Sequence, residues 1–133
     1  MIKNEITLIR QYIKDLSFEN PMAPNFPSQK INPTINLDVN ANYLDLKNNN
    51  HEVTLKIKST ASIEKDAIFI IELQYAGLSN TALKNDDDKR KFIISGSYLL
   101  FPFARSIISN ITIEGGFKPF VIEPIKFEHM IQK

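Results

Sequence analysis

Side chains able to do acid-base, nucleophilic or metal chemistry are few in this 133-residue chain, and they do not cluster. There are two histidines, His51 in a polar turn and His129 near the C-terminus, and no cysteine. Metal sites need several ligands at set spacing. Neither histidine has such a partner, so both read as surface residues. Asp86-Asp87-Asp88 could attract a divalent cation, but it lacks the spaced oxygen ligands and closing glutamate of a calcium loop. It reads as a solvated charge run. Gly115-Gly116 follows a helical pattern, whereas phosphate cradles place their glycines before a helix N-terminus; the pair is a helix stop. Glu19 and Glu72 fall on the wet faces of separate strands, with no apolar pocket to drive two carboxyl pKa values apart. No catalytic residue, metal or cofactor is expected.

Composition points the same way. Sixteen basic against fifteen acidic residues leave a net charge of +1, and no segment gathers the basic residues into the stripe that a phosphate backbone requires. Nucleic acid is excluded as a first reading. Without cysteine, disulfide-stapled scaffolds and zinc ribbons are excluded too, and a reducing compartment fits. Glu5, Arg10 and Lys14 interrupt the opening residues before a signal-peptide core develops, and no run approaches 18 apolar residues. The expectation is a cytoplasmic protein with no membrane insertion. At 43% apolar residues a chain of this length buries roughly two thirds of its unfolded surface, enough for one core. A single domain over 1–133 is expected.

The elements that would position any site follow from hydrophobic period. Ile35, Leu37, Val39, Ala41 and Tyr43 alternate with Asn36, Asp38, Asn40 and Asn42, which predicts a strand with one buried and one wet face. After the turn-forming run Lys47-Asn48-Asn49-Asn50, alternation resumes from Val53 to Ile63. A turn at Glu64-Lys65-Asp66 leads to a strand over Ala67–Gly77, with Phe69, Ile71, Leu73 and Tyr75 on one face. An opening strand spans roughly Ile6 to Glu19. Four strands in meander order predict an antiparallel sheet. Asn20–Pro33, with four prolines, is a connector, and the polar run Ser79–Lys91 is expected to be a solvated loop. From Pro102 the period becomes helical, with Phe103, Ala104, Ile107, Ile108 and Ile111 on one arc, until Gly115-Gly116. A short last helix carries Phe127, Met130 and Ile131. The fold class is therefore α+β, a four-stranded antiparallel sheet followed by a long helix and a short C-terminal helix.

This pattern yields more apolar surface than so small a domain can hide. Large exposed apolar patches mark interaction sites. Oligomerisation would use them, and so would binding of extended chain segments on sheet edges and in apolar grooves.

Two segments carry a family resemblance. Tyr12-Ile13-Lys14-Asp15-Leu16-Ser17-Phe18-Glu19-Asn20-Pro21, followed by Ala23-Pro24, and Leu100-Phe101-Pro102-Phe103-Ala104-Arg105 are similar to segments of the SecB family of protein-export chaperones. Gly116-Phe117-Lys118-Pro119-Phe120, running on to Glu123-Pro124-Ile125-Lys126-Phe127, resembles that family's end-of-core pattern. Their order and spacing match over nearly the whole chain. The resemblance implies an ATP-independent cytosolic holdase without cofactor, a homotetramer built as a dimer of dimers, that keeps preproteins unfolded and passes them to the SecA motor. It places clients in a groove formed by Ile31, Ile35, Leu37 and Val39, with Phe127, Met130 and Ile131 opposite. It places SecA on an acidic outer sheet face at Asp15, Glu19, Ile70 and Glu72. The chain departs from the family in its polar run after the fourth strand, in Gly96-Ser97-Tyr98 where members carry Cys-Pro-Asn, and in stopping at Lys133 without the polar tail that meets SecA. Weaker handover is expected, and an alternative stays open: a SecB-like chaperone dedicated to one partner, an antitoxin or a single secreted protein.

Overall fold

The computed structural model describes residues 6–28 and 30–130. Four strands, β1 (Arg10–Glu19), β2 (Thr34–Lys47), β3 (Asn50–Ile63) and β4 (Asp66–Asn80), precede one long helix, α1 (Asp86–Glu114), and a 3-10 turn at Phe127–His129. All strand pairs are antiparallel, in the order β1-β4-β3-β2. The expected meander is thereby corrected: β2, β3 and β4 follow one another as hairpins, but β1 pairs with β4. The proline-rich connector is too long for a hairpin and carries the chain from one sheet edge to the other, which makes a Greek key. The β2–β3 turn needs left-handed backbone, and Lys47, Asn48 and Asn49 supply it with φ of 75°, 56° and 63°. Asparagine tolerates that region better than most residues because its short side chain bonds locally.

Residues directly opposite one another in a ladder share a face. Leu55 faces Tyr75, Ile57 faces Leu73 and Ala61 faces Phe69. Ile35 to Tyr43 of β2, together with Leu16 and Phe18 of β1, extend this inner face. Phe92, Leu100, Phe101, Ala104 and Ile108 of α1 are buried against it. The length and mean hydropathy of α1, 1.4 over its most apolar 18 residues, would suffice for a membrane span; here its apolar side covers the sheet. The reverse sheet face, with Asp15, Asp38, Lys56, Lys58 and Glu72, is uncovered by any other element among the described residues.

The helix begins at Asp86, well before Pro102, so both the solvated loop expected through Lys91 and the start expected at Pro102 are corrected. Asn85 is the N-cap, its side chain accepting from the Asp88 amide at 2.8 Å, and the Asp88 carboxylate accepts from the Lys84 amide at 2.9 Å. Three aspartates in the first turn meet the positive end of the helix dipole, where carboxylates stabilise a helix. Pro102 sits inside α1, a position that costs roughly 3 kcal/mol in an isolated helix and is tolerated here among buried Leu100, Phe101 and Ala104. The C-terminal stop is at Gly115, whose amide bonds back to Ile111, and Gly116 has φ 94°.

Beyond α1 the chain doubles back along the helix. The Phe120 amide donates to the Thr112 hydroxyl at 3.0 Å, the Phe127 amide to the Tyr98 hydroxyl at 3.2 Å, and the Arg90 guanidinium to the Glu128 carbonyl at 3.5 Å. Tyr98 in turn donates to the Glu128 carboxylate.

His51 is not the surface residue its polar neighbourhood implied. Only 5% of it is exposed. Its Nε2 donates to the Thr81 carbonyl at 3.0 Å, and its Nδ1 shares a hydrogen with the Tyr43 hydroxyl at 2.7 Å. The ring packs in a triangle with those of Tyr43 and Phe92, and its two hydrogen bonds tie the β2–β3 hairpin to the chain leaving β4. His129 is exposed.

A candidate polypeptide-binding groove and an outer sheet face

The inner sheet face is open at one end. There the connector before β2, the starts of β2 and β4, and the chain after Gly115 enclose a cavity of about 330 Å³. Phe26, Ile31, Ile35, Phe69, Phe117 and Phe120 line it, together with Pro27, Pro33 and Pro119. Prolines keep the two connecting segments extended and reduce the donors they expose. Phe26 meets Phe117 edge-on at 5.4 Å, and Phe69 meets Phe117 at 5.2 Å. The Asn20 amide holds the connector to the helix end by donating to the Gly115 carbonyl at 2.9 Å. Phe26 and Ile31 remain 47% and 49% exposed.

From the cavity the apolar row continues along β2. Leu37 is 38% exposed, and Val39, Ala41 and Tyr43 are half-buried against the core. β2 is an edge strand, with a sheet partner on one side only. The structure therefore brings Ile31 and Ile35 into one cavity and strings Leu37 and Val39 from it. Phe127 and Met130 are not brought into this cavity: Met130 is 40% exposed, whereas Phe127 is completely buried against α1, its ring edge-on to Tyr98 at 5.1 Å and Phe101 at 5.7 Å. Ile131 lies outside the described residues. The sequence reading passed over Phe26, Phe69, Phe117 and Phe120 as lining. The available signal was an aromatic residue set among prolines at Phe26-Pro27 and at Pro119-Phe120, in segments too irregular to bury it in a regular element.

On the outer face, Asp15, Glu19, Ile70 and Glu72 come together. Glu19 pairs with Ile70, Ser17 with Glu72 and Asp15 with Gln74, and these residues share a face. The patch is not uniformly acidic. A shallow hollow of about 260 Å³ contains Asp15, Glu72 and Asp38 with Lys56 and Lys58, and Lys58 lies 3.9 Å from Glu72. That pair is solvent-exposed and contributes little to stability.

Further along this face, Glu52 is 7% exposed. It accepts from the Tyr12 hydroxyl at 2.7 Å and from Lys14 Nζ at 2.9 Å, both reaching over β4 from β1. Burial opposes its charge, but the hydrogen bonds from Tyr12 and Lys14 and the lysine's charge outweigh burial and hold its pKa below the ordinary 4.5. Burial, then the bond to Glu52, pushes Tyr12 up to about 12. A depressed carboxylate pKa stabilises the fold above the unfolded-state value and loses that contribution as pH falls through the folded-state value. Glu52→Gln should therefore cost about 1–3 kcal/mol at pH 7 and progressively less below pH 4.5. Urea unfolding of both proteins at several pH values checks this; a pH-independent difference would mean that the glutamate's charge contributes nothing.

No group of three or more His, Cys, Asp or Glu is placed to hold a metal ion among the described residues. A sheet half covered by a long helix, with an aromatic groove leading onto an edge strand that has one free side, is the arrangement of a protein that binds apolar, extended polypeptide. The particular family follows from comparison: the model of the preprotein translocase subunit SecB matches residues 2–133, and the chain belongs to the SecB family of protein-export chaperones. The protein-export protein SecB of Wolbachia pipientis subsp. Culex pipiens is 37% identical, over all of this chain and 91% of the relative. That of Rickettsia akari is 42% identical over 96% of this chain and 86% of the relative. Among solved structures, the SecB-like chaperone Rv1957 of Mycobacterium tuberculosis, in complex with a ChAD peptide from the HigA1 antitoxin, superposes with a TM-score of 0.79 over 93% of each chain. At 11% identity that likeness is one of fold.

Proposed function

We propose that this chain is an ATP-independent holdase that keeps preproteins unfolded in the cytoplasm and passes them to the SecA motor. The observation that carries the reading is the aromatic cavity of about 330 Å³ opening onto the half-exposed apolar row of edge strand β2. Ile31, Ile35, Leu37 and Val39 are the client-binding residues, with Met130 and Ile131 as the further apolar residues that a client meets. Phe127, buried against Tyr98 and Phe101, holds the returning chain on α1. Burial of client side chains contributes about 25 cal/mol per Å², offset by the ordering of a disordered chain. Each groove then binds weakly and with little sequence demand.

Affinity comes from wrapping one client over several grooves, because linked contacts raise the effective concentration. That requires a homotetramer, a dimer of dimers. The edge opposite the groove supports it: Ile9 and Ile13 of the β1 side are exposed, as is Phe103 of α1, which stacks on Tyr75. SecA docks on the outer face at Asp15, Glu19, Ile70 and Glu72.

The test is light scattering of a slow-folding preprotein diluted from denaturant with and without the chain and without ATP, together with the chain's solution mass. Suppression near one tetramer per client is the expected result. Unchanged aggregation beside a well-folded oligomer overturns the general reading and leaves a chaperone dedicated to one partner.

A further inference from the structure

The central carboxylate of the outer face has a lysine beside it. Glu72 stands opposite Ser17 of β1, between Asp15, which pairs with Gln74, and Glu19, which pairs with Ile70, so both acids lie on its diagonals, about 7–8 Å away. On its other side Glu72 stands opposite Lys58 of β3, and Lys58 stands opposite Asp38 of β2. One row across the sheet thus reads acid, base, acid. Asp15, Asp38, Glu72, Lys56 and Lys58 share the shallow hollow of about 260 Å³. Lys56 is engaged elsewhere: with the Asn42 amide turned so that its oxygen faces the lysine, Nζ donates to it at 3.1 Å. Asp15 and Glu19 form no ion pair among the described residues, which leaves Glu72 as the paired carboxylate of the patch.

That pair is loose. Lys58 Nζ lies 3.9 Å from Glu72 Oε2, and 54% of each side chain is exposed. The distance is beyond hydrogen-bond reach, so the lysine lends its charge to Glu72 without being held there. A basic residue arriving on a partner can form with Glu72 the short charge-assisted bonds that Lys58 does not. The lysine it evicts has a second carboxylate within its range, because a flexible four-carbon stem rooted between two acids turns from Glu72 to Asp38 by rotamer changes alone.

We propose that Lys58 is a built-in competitor for Glu72, which a basic residue of the docking motor must displace, and that Asp38 is the carboxylate to which the displaced lysine turns. The inference rests on the outer face being the SecA dock and adds two residues, on β3 and β2, that set its affinity. Without Asp38, docking would trade one ion pair of Glu72 for another and strand a lysine beside the incoming cation. With Asp38, one weak pair becomes two, Glu72 with the motor and Lys58 with Asp38. All of these groups stand in water, so each effect is that of a surface ion pair, about two- to fivefold in affinity, and salt screens it.

The test titrates fluorescently labelled full-length protein with the SecA of the same organism, at low and high salt. Lys58→Met, which keeps the side chain's length and removes its charge, should bind SecA about two- to fivefold more tightly at low salt, and the gain should shrink at high salt. Glu72→Gln should bind more weakly, and adding Lys58→Met to it should gain little, because the competitor has lost its target. Asp38→Asn should weaken binding by about twofold in the parent and leave that of Lys58→Met unchanged. Lys91→Met makes the same change in net charge at the start of α1 and should leave the affinity as it is. Equal affinity of Lys58→Met and the parent, the same gain on the Glu72→Gln background, or the same gain from Lys91→Met each overturn the competition. An Asp38→Asn change that weakens Lys58→Met as much as the parent overturns the role of the second carboxylate. Binding that neither Glu72→Gln nor Asp15→Asn weakens, or no binding by any of these proteins, overturns the outer face as the SecA dock, and the competition with it.

Discussion

Phe127→Ala should lower stability by about 3–5 kcal/mol, the usual cost of truncating a fully buried aromatic residue, whereas Leu37→Asp should cost about 1 kcal/mol and abolish client holding. Both residues belong to the groove that the family resemblance implied, but their surroundings differ. Phe127 has no exposed surface, and its ring is boxed edge-on by Tyr98 and Phe101. Its amide donates to the same Tyr98 hydroxyl that donates to Glu128. Removing the ring empties the junction between α1 and the returning chain, and Phe127→Asp adds a buried charge without a partner, which a domain stable by only about 5–15 kcal/mol cannot absorb. Leu37 stands at the half-open edge of β2, opposite Ser59, whose buried hydroxyl has no hydrogen-bond partner among the described residues. A carboxylate there stays in water while spoiling the apolar row. Urea unfolding at fixed protein concentration, with light scattering of a preprotein, separates the two effects. A Phe127→Ala protein as stable as the parent yet unable to hold clients would move that ring from the core into the groove. A Leu37→Asp protein that holds clients normally would remove β2 from the client site.

Why one strand was legible and another was not has a physical answer in each case. The β2–β3 ladder is unbroken from Ile35 to Tyr43 and from Val53 to Ile57, so alternation over those residues reports the faces directly. β1 carries a bulge between Ile13 and Asp15, which puts Ile13 and Leu16 on one face at a spacing of three and hides the strand's inner residues from a period of two. The early start of α1 was missed because Asn85 to Lys91 has a loop-like composition. What matters is position: the same aspartates that weaken a helix interior stabilise its first turn. His51 reads as wet because its sequence neighbours are polar, and nothing in that stretch marks Glu52 for burial. Their burial is tertiary, by Tyr43 and Phe92 in one case and by Tyr12 and Lys14 in the other. The cavity is hardest to read of all. Its walls come from connectors without a period, and only the fold brings Phe26 and Phe117 together. The wet-face placement of Glu19 and Glu72 was legible because each sits on an unbroken stretch of ladder.

Gly96 offers the strongest test of how α1 is pressed onto the sheet. A Cβ at this position would lie 2.6 Å from Val53 Cγ1, closer than carbon atoms approach without displacement, and 3.4 Å from Val53 Cβ, an ordinary contact. The helix thus sits as low on β3 as a glycine allows, and Val53 below it is completely buried. Two effects oppose each other in Gly96→Ala. Alanine favours a helix interior by about 1 kcal/mol over glycine, while forcing a methyl into a filled core costs about 1–3 kcal/mol. With Val53 in place the clash should win and the variant should be less stable. With Val53→Ala the methyl has room, and adding Gly96→Ala should then stabilise, changing the sign of the same substitution. The coupling in this double-mutant cycle should be about 1–3 kcal/mol. Gly96→Val, with a smaller propensity gain than alanine and more bulk, should be worse than Gly96→Ala in either background. Additive single and double mutants would mean that α1 lifts freely from β3. The inner face could then open along its whole length, and clients would not be confined to the cavity and the β2 row.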